Sequence, residues 1–269
     1  MAFAKINSDL SYWQKQSQPL YPDLAWNIPE RKTGRVAVVG GNAQGFSSVV
    51  RLSEFMNQNF PFSNLTTILP DALRGKLPNL PGVEFAISTT SGSFAKSALL
   101  KSAFESSDGV LLAGDLSRNS ETAIALSGMI DPKSTNPLVI ARDSVDLLAP
   151  EGANWLLRPQ TFVVASMLQL QKLFRSIYYP RMILLSQPLL PVLETLHKFT
   201  LTYPVTLLTF HQDNIIVAHG GNISTTHLVD TEYSPIGLWS GQLAARVLAL
   251  NLYNPPKPFE ATTAAILYK

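Results

Sequence analysis

Between Arg35 and Ala141 the chain repeats one pattern: a short apolar run, a glycine or small-residue turn, then a segment with helical spacing. The runs are Arg35–Val39 (RVAVV), Leu65–Leu69, Val83–Ser88, Gly109–Ala113 (GVLLA) and Pro137–Ala141 (PLVIA). They are too short for membrane helices and too continuously apolar for half-exposed strands, so they read as strands buried on both faces. Phe46–Asn59 carries an apolar stripe of Val49, Val50, Leu52, Phe55 and Met56. Ser93–Ser106 and Ser120–Ile130 carry similar stripes, and strands alternating with helices of this length build βαβ units and a parallel sheet covered on both sides.

The second half continues less regularly. Ser144–Leu148 predicts a helical turn, Trp155–Leu157 a short strand, Phe162–Phe174 a helix, and Met182–Leu185 (MILL) a further strand. Leu190–Tyr203 predicts a helix with Leu193, Leu196 and Phe199 on one face. Val205–Phe210 and Asn214–His219, separated by Gln212-Asp213, predict an antiparallel hairpin, and Ser240–Tyr253 and Phe259–Tyr268 predict two closing helices. Residues 1–29 read as a polar lead-in, with Ser8-Asp9 as a helix cap and Pro19, Pro22 and Pro29 barring a long helix after it. The expected organisation is one three-layer α/β/α domain over 30–269 with a mainly parallel central sheet and a late antiparallel hairpin.

Composition narrows the function. The 269 residues hold no cysteine, which removes disulfide scaffolds, Cys-ligated zinc, iron–sulfur clusters and thiol nucleophiles. Twenty-one basic residues are scattered among nineteen acidic ones, so no nucleic-acid or lipid-binding cluster is expected. No signal peptide and no apolar window of the ~18 residues a membrane span needs are seen. The expectation is a soluble, cytoplasmic protein. Charged residues are 15% of the chain, against ~25% in soluble domains generally; a weakly charged surface favours association, and a homo-oligomer is expected.

Four segments are candidates for chemistry. Val38–Ser48 (VVGGNAQGFSS) runs from a strand through glycines into a helix, where open α/β sheets bind ligands. Gly40 and Gly45 have the spacing of a phosphate-binding loop, but Phe46 stands where that loop needs lysine. Gly40, Gly41, Asn42 and Gly45 thus make either a ligand-contacting backbone or simply a tight turn. Ala113–Ser120 (AGDLSRNS) is a second such turn, with Gly114, Asp115 and Asn119 as candidates; Asp115 either meets a ligand or bonds nearby backbone. Asp143 and Asp146 follow the PLVIA strand, as a general base or as charge at a helix start. Ser240, Gly241 and Gln242 open an apolar helix that carries Arg246, and no acid lies between Gly237 and Gln242. His211, His219 and His227 recur at intervals of eight, but no ligand pair such as HExxH exists and no metal site is expected; a GxSxG elbow is also absent.

The order of these motifs resembles the carbohydrate-kinase-like, nucleotide-dependent NAD(P)H-hydrate dehydratases of the ribokinase-like superfamily. Glu30–Val36 leading into Val39-Gly40-Gly41 is similar to that family's entry strand and G-G-[ST] loop. Gly109–Ser117 is similar to its strand ending in G-P-G-L-G, and Pro137–Leu148 to its D-A-D-x-L strand. Leu157–Leu168 is similar to its T-P-H-x-G-E segment and helix, and Ser240–Leu250 to its G-T-G-D and helix. The resemblance implies ADP or ATP and a NAD(P)-type ligand bound near Gly40–Gly45, Gly114–Asn119 and Gly237–Gln242.

The departures imply altered chemistry. Gln242, or with a one-residue shift Gly241, stands at the family's catalytic aspartate. Arg158–Val163 (RPQTFV) lacks both His and Glu, Asn42 replaces the hydroxyl residue, and only Asp143 survives of D-A-D. The resemblance therefore implies a divergent, catalytically impaired relative that keeps nucleotide binding. Two alternatives stand beside it. One is an active lyase or small-molecule kinase with its acid relocated to Asp115 or Asp143, and the other is a non-enzymatic assembly protein on the same scaffold.

Overall fold

The computed structural model describes residues 11–16, 24, 27–77, 80–234 and 236–268; the expected cap at Ser8-Asp9 lies outside them. Ten strands form one sheet in the order β1-β10-β9-β8-β7-β6-β5-β2-β3-β4. The strands are β1 Trp13–Gln16, β2 Arg35–Gly40, β3 Asn64–Pro70, β4 Val83–Ala86, β5 Gly109–Gly114, β6 Leu138–Ala141, β7 Thr161–Val164, β8 Val205–His211, β9 Asn214–His219 and β10 Asn222–His227. From β4 across to β8 every pairing is parallel, β8-β9-β10 is antiparallel, and β1 joins β10 in parallel.

The pleat of these strands divides the core into two layers. Val36, Val38, Leu111, Ala113, Val139 and Ala141 face one side. There they meet helices α1 (Ser47–Asn59), α8 (Gln242–Tyr253) and α9 (Pro258–Leu267). Ala37, Val39, Val110, Leu112, Leu138 and Ile140 face the other. That side is covered by α2 (Ala98–Ser106), α3 (Ser120–Ser127), α4 (Asp143–Leu148), α5 (Gly152–Trp155), α6 (Met167–Ser176) and α7 (Leu189–Thr202). The three-layer α/β/α architecture and its mainly parallel sheet are as expected. The β8–β9 hairpin turns at Gln212-Asp213, both at positive φ (45° and 59°), the backbone that matches the twist of paired strands. Helix α8 is apolar nearly all round and buried from Leu243 to Asn251, as a central helix pressed on a sheet should be.

Several expectations are corrected. The segment Phe162–Phe174 is not one helix: Thr161–Val164 is strand β7 and the helix starts at Met167. β-branched Thr161, Val163 and Val164 fit a strand buried between β6 and β8. Ser166 then breaks the run by accepting a hydrogen bond from the Gln169 backbone N–H, while the Gln169 side chain accepts from the Ser166 backbone N–H. Trp155–Leu157 is not a strand. Trp155 ends α5, fully buried, and its indole N–H donates to the Leu148 carbonyl at 3.0 Å. Met182–Leu185 is not a strand either; only Ile183 of that run is buried. The Ser93–Ser106 segment becomes helical only at Ala98, where Ser97 caps the Leu100 N–H. Two strands were not anticipated. Asn222–His227 pairs beyond the Gly220-Gly221 turn, and Trp13–Gln16, within the polar lead-in, supplies the sheet edge.

Candidate functional site

The carboxyl ends of β2, β5 and β6 meet helices α1, α4 and α8 at one end of the sheet. Gly40 lies against Gly114 where the β2–β5 register shifts. Gly41, at φ +91°, donates its N–H to the Gly114 carbonyl at 2.9 Å. Asn42 then folds the loop on itself. Its Oδ1 accepts from the N–H groups of Gln44 (2.8 Å) and Gly45 (3.1 Å), and its Nδ2 donates to the Asp115 carbonyl (2.6 Å). Gly40, Gly41, Asn42, Gly45 and Gly114 therefore come together, as parts of a self-bonded double turn whose amides are engaged within the protein.

Asp115 sits beneath that turn at φ +56° and takes two partners. The Ser48 hydroxyl donates to its Oδ2, and Nη2 of Arg142 pairs with its Oδ1 at 2.7 Å. Nη1 of Arg142 also donates to the Ser48 hydroxyl oxygen (2.9 Å) and to the Ala113 carbonyl (3.1 Å). Arg142 holds φ +57°, ψ −138°, a conformation that is almost a glycine preserve. Asp143 turns the other way. Its Oδ2 accepts the Leu116 N–H at 3.0 Å, while its Oδ1 is buried against Gly114 with no hydrogen-bond partner. Burial raises its pKa above the carboxylate norm; Arg142 opposes this and Asp115 adds to it. Asn119 caps α3 through the Thr122 N–H (2.6 Å), and Asp146 binds Lys172 and Gln169; neither lines the cavity described next.

A cavity of about 330 Å³ opens beside this network, lined by Ser48, Arg51, Leu52, Arg142, Ser240 and Gln242. Ser240, Gly241 and Gln242 converge on it. Gly241 at φ +102° is the N-cap of α8 and packs on Leu52, and Gln242 is the first helical residue. Among the described residues no carboxylate lines the cavity, and the first turn of α8 has none. Arg51, which pairs with no carboxylate among the described residues, and Arg142, which keeps donors beyond its pair with Asp115, give the cavity wall a positive charge that attracts an anion, and neither can take up a proton. Ser48 ends a candidate segment without being singled out there, and Arg51 and Arg142 are not sequence candidates. Ser48 and Arg51 are one turn apart on α1, a signal available only once the helix start is placed. Arg142 is legible only as the residue before Asp143.

Two other sequence signals lie away from the site. Arg158–Val163 does not reach the site: Arg158 is buried at the opposite, amino end of β7, donating to the carbonyls of Asp131, Asn136 and Pro159. The four histidines are each occupied within the fold, His211 on the Gln187 carbonyl, His219 with Thr206, His197 with the Gly221 carbonyl and His227 with the Val229 N–H. Among the described residues no group of three His, Asp or Glu side chains is placed to hold a metal ion.

No protein-family profile and no curated protein matches the sequence. Solved structures do match. A ribokinase-like superfamily protein from Enterococcus faecalis shares 15% identity at TM-score 0.68, covering 95% of this chain and 85% of that one. The ADP/ATP-dependent NAD(P)H-hydrate dehydratase of Bacillus subtilis, co-crystallised with ATP and Mg2+, shares 11% at TM-score 0.57, covering 89% and 82%. The phosphomethylpyrimidine kinase of Clostridium difficile shares 12% at TM-score 0.53, covering 87% and 98%. The chain has the fold these proteins share. Among its described residues no helix is long and apolar enough to cross a membrane.

Proposed function

We propose that this chain binds a phosphate-bearing small molecule of the nucleotide class at the carboxyl end of its sheet, and that it is a divergent relative of the nucleotide-dependent NAD(P)H-hydrate dehydratases without their proton transfer. The observation that carries this is the lining of the α8 cavity: two arginines, two serines and a glutamine amide, with no carboxylate. Nucleotides present charged phosphates, and forked guanidinium donors suit them. Gln242 supplies hydrogen bonds but no base. The two nearby acids do not replace it, since Asp115 is held by Arg142 and Ser48 and Asp143 faces Leu116.

The test has two arms. Thermal denaturation with ADP, ATP, NAD and NADP should show stabilisation by at least one nucleotide; a ligand at one hundred times its Kd adds about 2.7 kcal/mol. No shift with any of the four at millimolar concentration would overturn the nucleotide reading. Incubation with hydrated NADH and ADP or ATP should give no turnover, and dehydration at rates typical of the active enzymes would overturn the impairment.

One surface favours a second reading, assembly on the same scaffold. Exposed Tyr178, Met182 and Leu184, beyond the end of α6, line a hollow of about 410 Å³ together with the buried Phe174 and Ile183. Apolar patches of this kind mark association surfaces. Light scattering should then show an oligomer that Met182→Glu dissociates; a wild-type monomer at micromolar concentration sinks this reading.

A further inference from the structure

We propose that Arg51 and Arg142 form a phosphate subsite held in reserve by an internal carboxylate: in the free protein Asp115 occupies Arg142, and the phosphate of an entering ligand takes Arg142 over. The proposal rests on the preceding reading for the location of the site, and not for the identity of the rest of the ligand.

The donors can be counted. A guanidinium has five N–H groups. Arg142 commits three of them, to Asp115, to Ser48 and to the Ala113 carbonyl. Two remain on a side chain that lines the cavity. Arg51 makes long contacts only with its own helix turn, to the Ser47 carbonyl and hydroxyl at 3.3 and 3.5 Å, and no carboxylate among the described residues pairs with it. Each cation therefore has spare donors at the same cavity, and both lie on its wall.

The Arg142–Asp115 pair has the character of a placeholder. Its side chains are 23% and 18% exposed, so water can reach both ions and the pair can be exchanged. A carboxylate brings one negative charge, whereas a phosphate monoester brings close to two and three acceptor oxygens, and so competes well for a forked donor. Arg51 adds a second cation that Asp115 does not engage. After exchange Asp115 keeps the Ser48 hydroxyl as a partner. The strained backbone at Arg142 fits this reading: such strain persists where the surroundings hold a side chain in a required place.

Calorimetric titration of the full chain with inorganic phosphate, pyrophosphate and ADP tests the exchange. If Asp115 occupies Arg142 in about nine molecules of ten, Asp115→Asn tightens pyrophosphate binding about tenfold. That gain should vanish in the Asp115→Asn, Arg142→Gln double variant, and Arg51→Gln alone should weaken binding. Arg142→Lys keeps the charge but not the fork, and should bind more weakly than wild type while keeping the wild-type far-UV circular dichroism spectrum at the binding temperature, which separates lost recognition from lost folding. Two results overturn the proposal: Asp115→Asn binding no tighter than wild type, or the same gain persisting without Arg142, which marks a general field effect. Pyrophosphate binding with no nucleotide binding would sink the nucleotide reading and leave the exchange standing. Nucleotide binding unaffected by Asp115→Asn would sink the exchange alone.

Discussion

Alanine in place of Gly40 sets a methyl carbon 2.5 Å from the Gly114 carbonyl oxygen and 2.9 Å from Cγ2 of Val49. Ordinary contact begins near 3.4 Å, so β2 and β5 must part by about 0.9 Å at their carboxyl ends. Backbone cannot rotate away as a side chain does. Overpacking of this kind costs roughly 1–3 kcal/mol. The same movement stretches the Gly41 N–H bond to Gly114, now 2.9 Å, for about 0.5–1.5 kcal/mol more. A total of about 1.5–4.5 kcal/mol corresponds to roughly 3–18 °C in melting temperature for a chain of this size. Far-UV circular dichroism during heating reads this directly. Gly75→Ala is the control: nothing lies within 4 Å of its new methyl, and its stability should change by less than about 0.5 kcal/mol. If Gly40→Ala melts within a degree or two of wild type and of Gly75→Ala, the close approach of the two strand ends is not the reason for glycine there.

Two further outcomes follow from named groups. Asp143 keeps its proton to higher pH when folded than when unfolded, so its contribution to stability is complete below the ordinary value of 3.8 and is lost as pH rises through the raised value; relative to Asp143→Asn, the wild type should lose stability across that rise, and a constant difference in melting temperature with pH would refute the assignment. Ser166→Ala removes the capping box of α6 and should cost about 1 kcal/mol in urea unfolding, with no measurable loss meaning that Gln169, which also donates to Asp146 and the Arg142 carbonyl, holds the helix start alone.

How far the sequence reveals this molecule depends on whether local chemistry or distant packing decides each element. GVLLAG is apolar throughout and ends in glycine, so β5 is evident by inspection. NISTTH gives no such signal, yet Ser224, Thr225 and Thr226 of β10 are buried. They are covered because β1 pairs alongside and Thr263 of α9 shares a hydrogen bond with Ser224, contacts no local pattern encodes. TFVVASMLQL contains both a strand and a helix, and its apolar spacing alone hides the boundary at Ser166. In the site, the lack of an acid at Gln242 is readable, since it is an identity. Arg142 escaped notice because its role comes from a backbone conformation rarely adopted by any residue except glycine. Asp115 and Asp143 look alike in the sequence, each an acid in a turn after an apolar strand, but their partners, Arg142 and Leu116, give them different surroundings.

The edge strand β1 has a consequence in time. Trp13 bonds to Thr225 across 212 positions of chain, so the earliest of the sheet's described strands is paired by the latest. Until β10 forms it cannot receive β1, and once it forms its outer edge stays open to any other extended chain until β1 closes it. Closing so long a loop is slow relative to the local βαβ pairings. Assembly of this sheet is thus completed by its earliest described strand, and a chain in which Trp13–Gln16 has not yet docked presents along β10 an adhesive border that the folded protein covers.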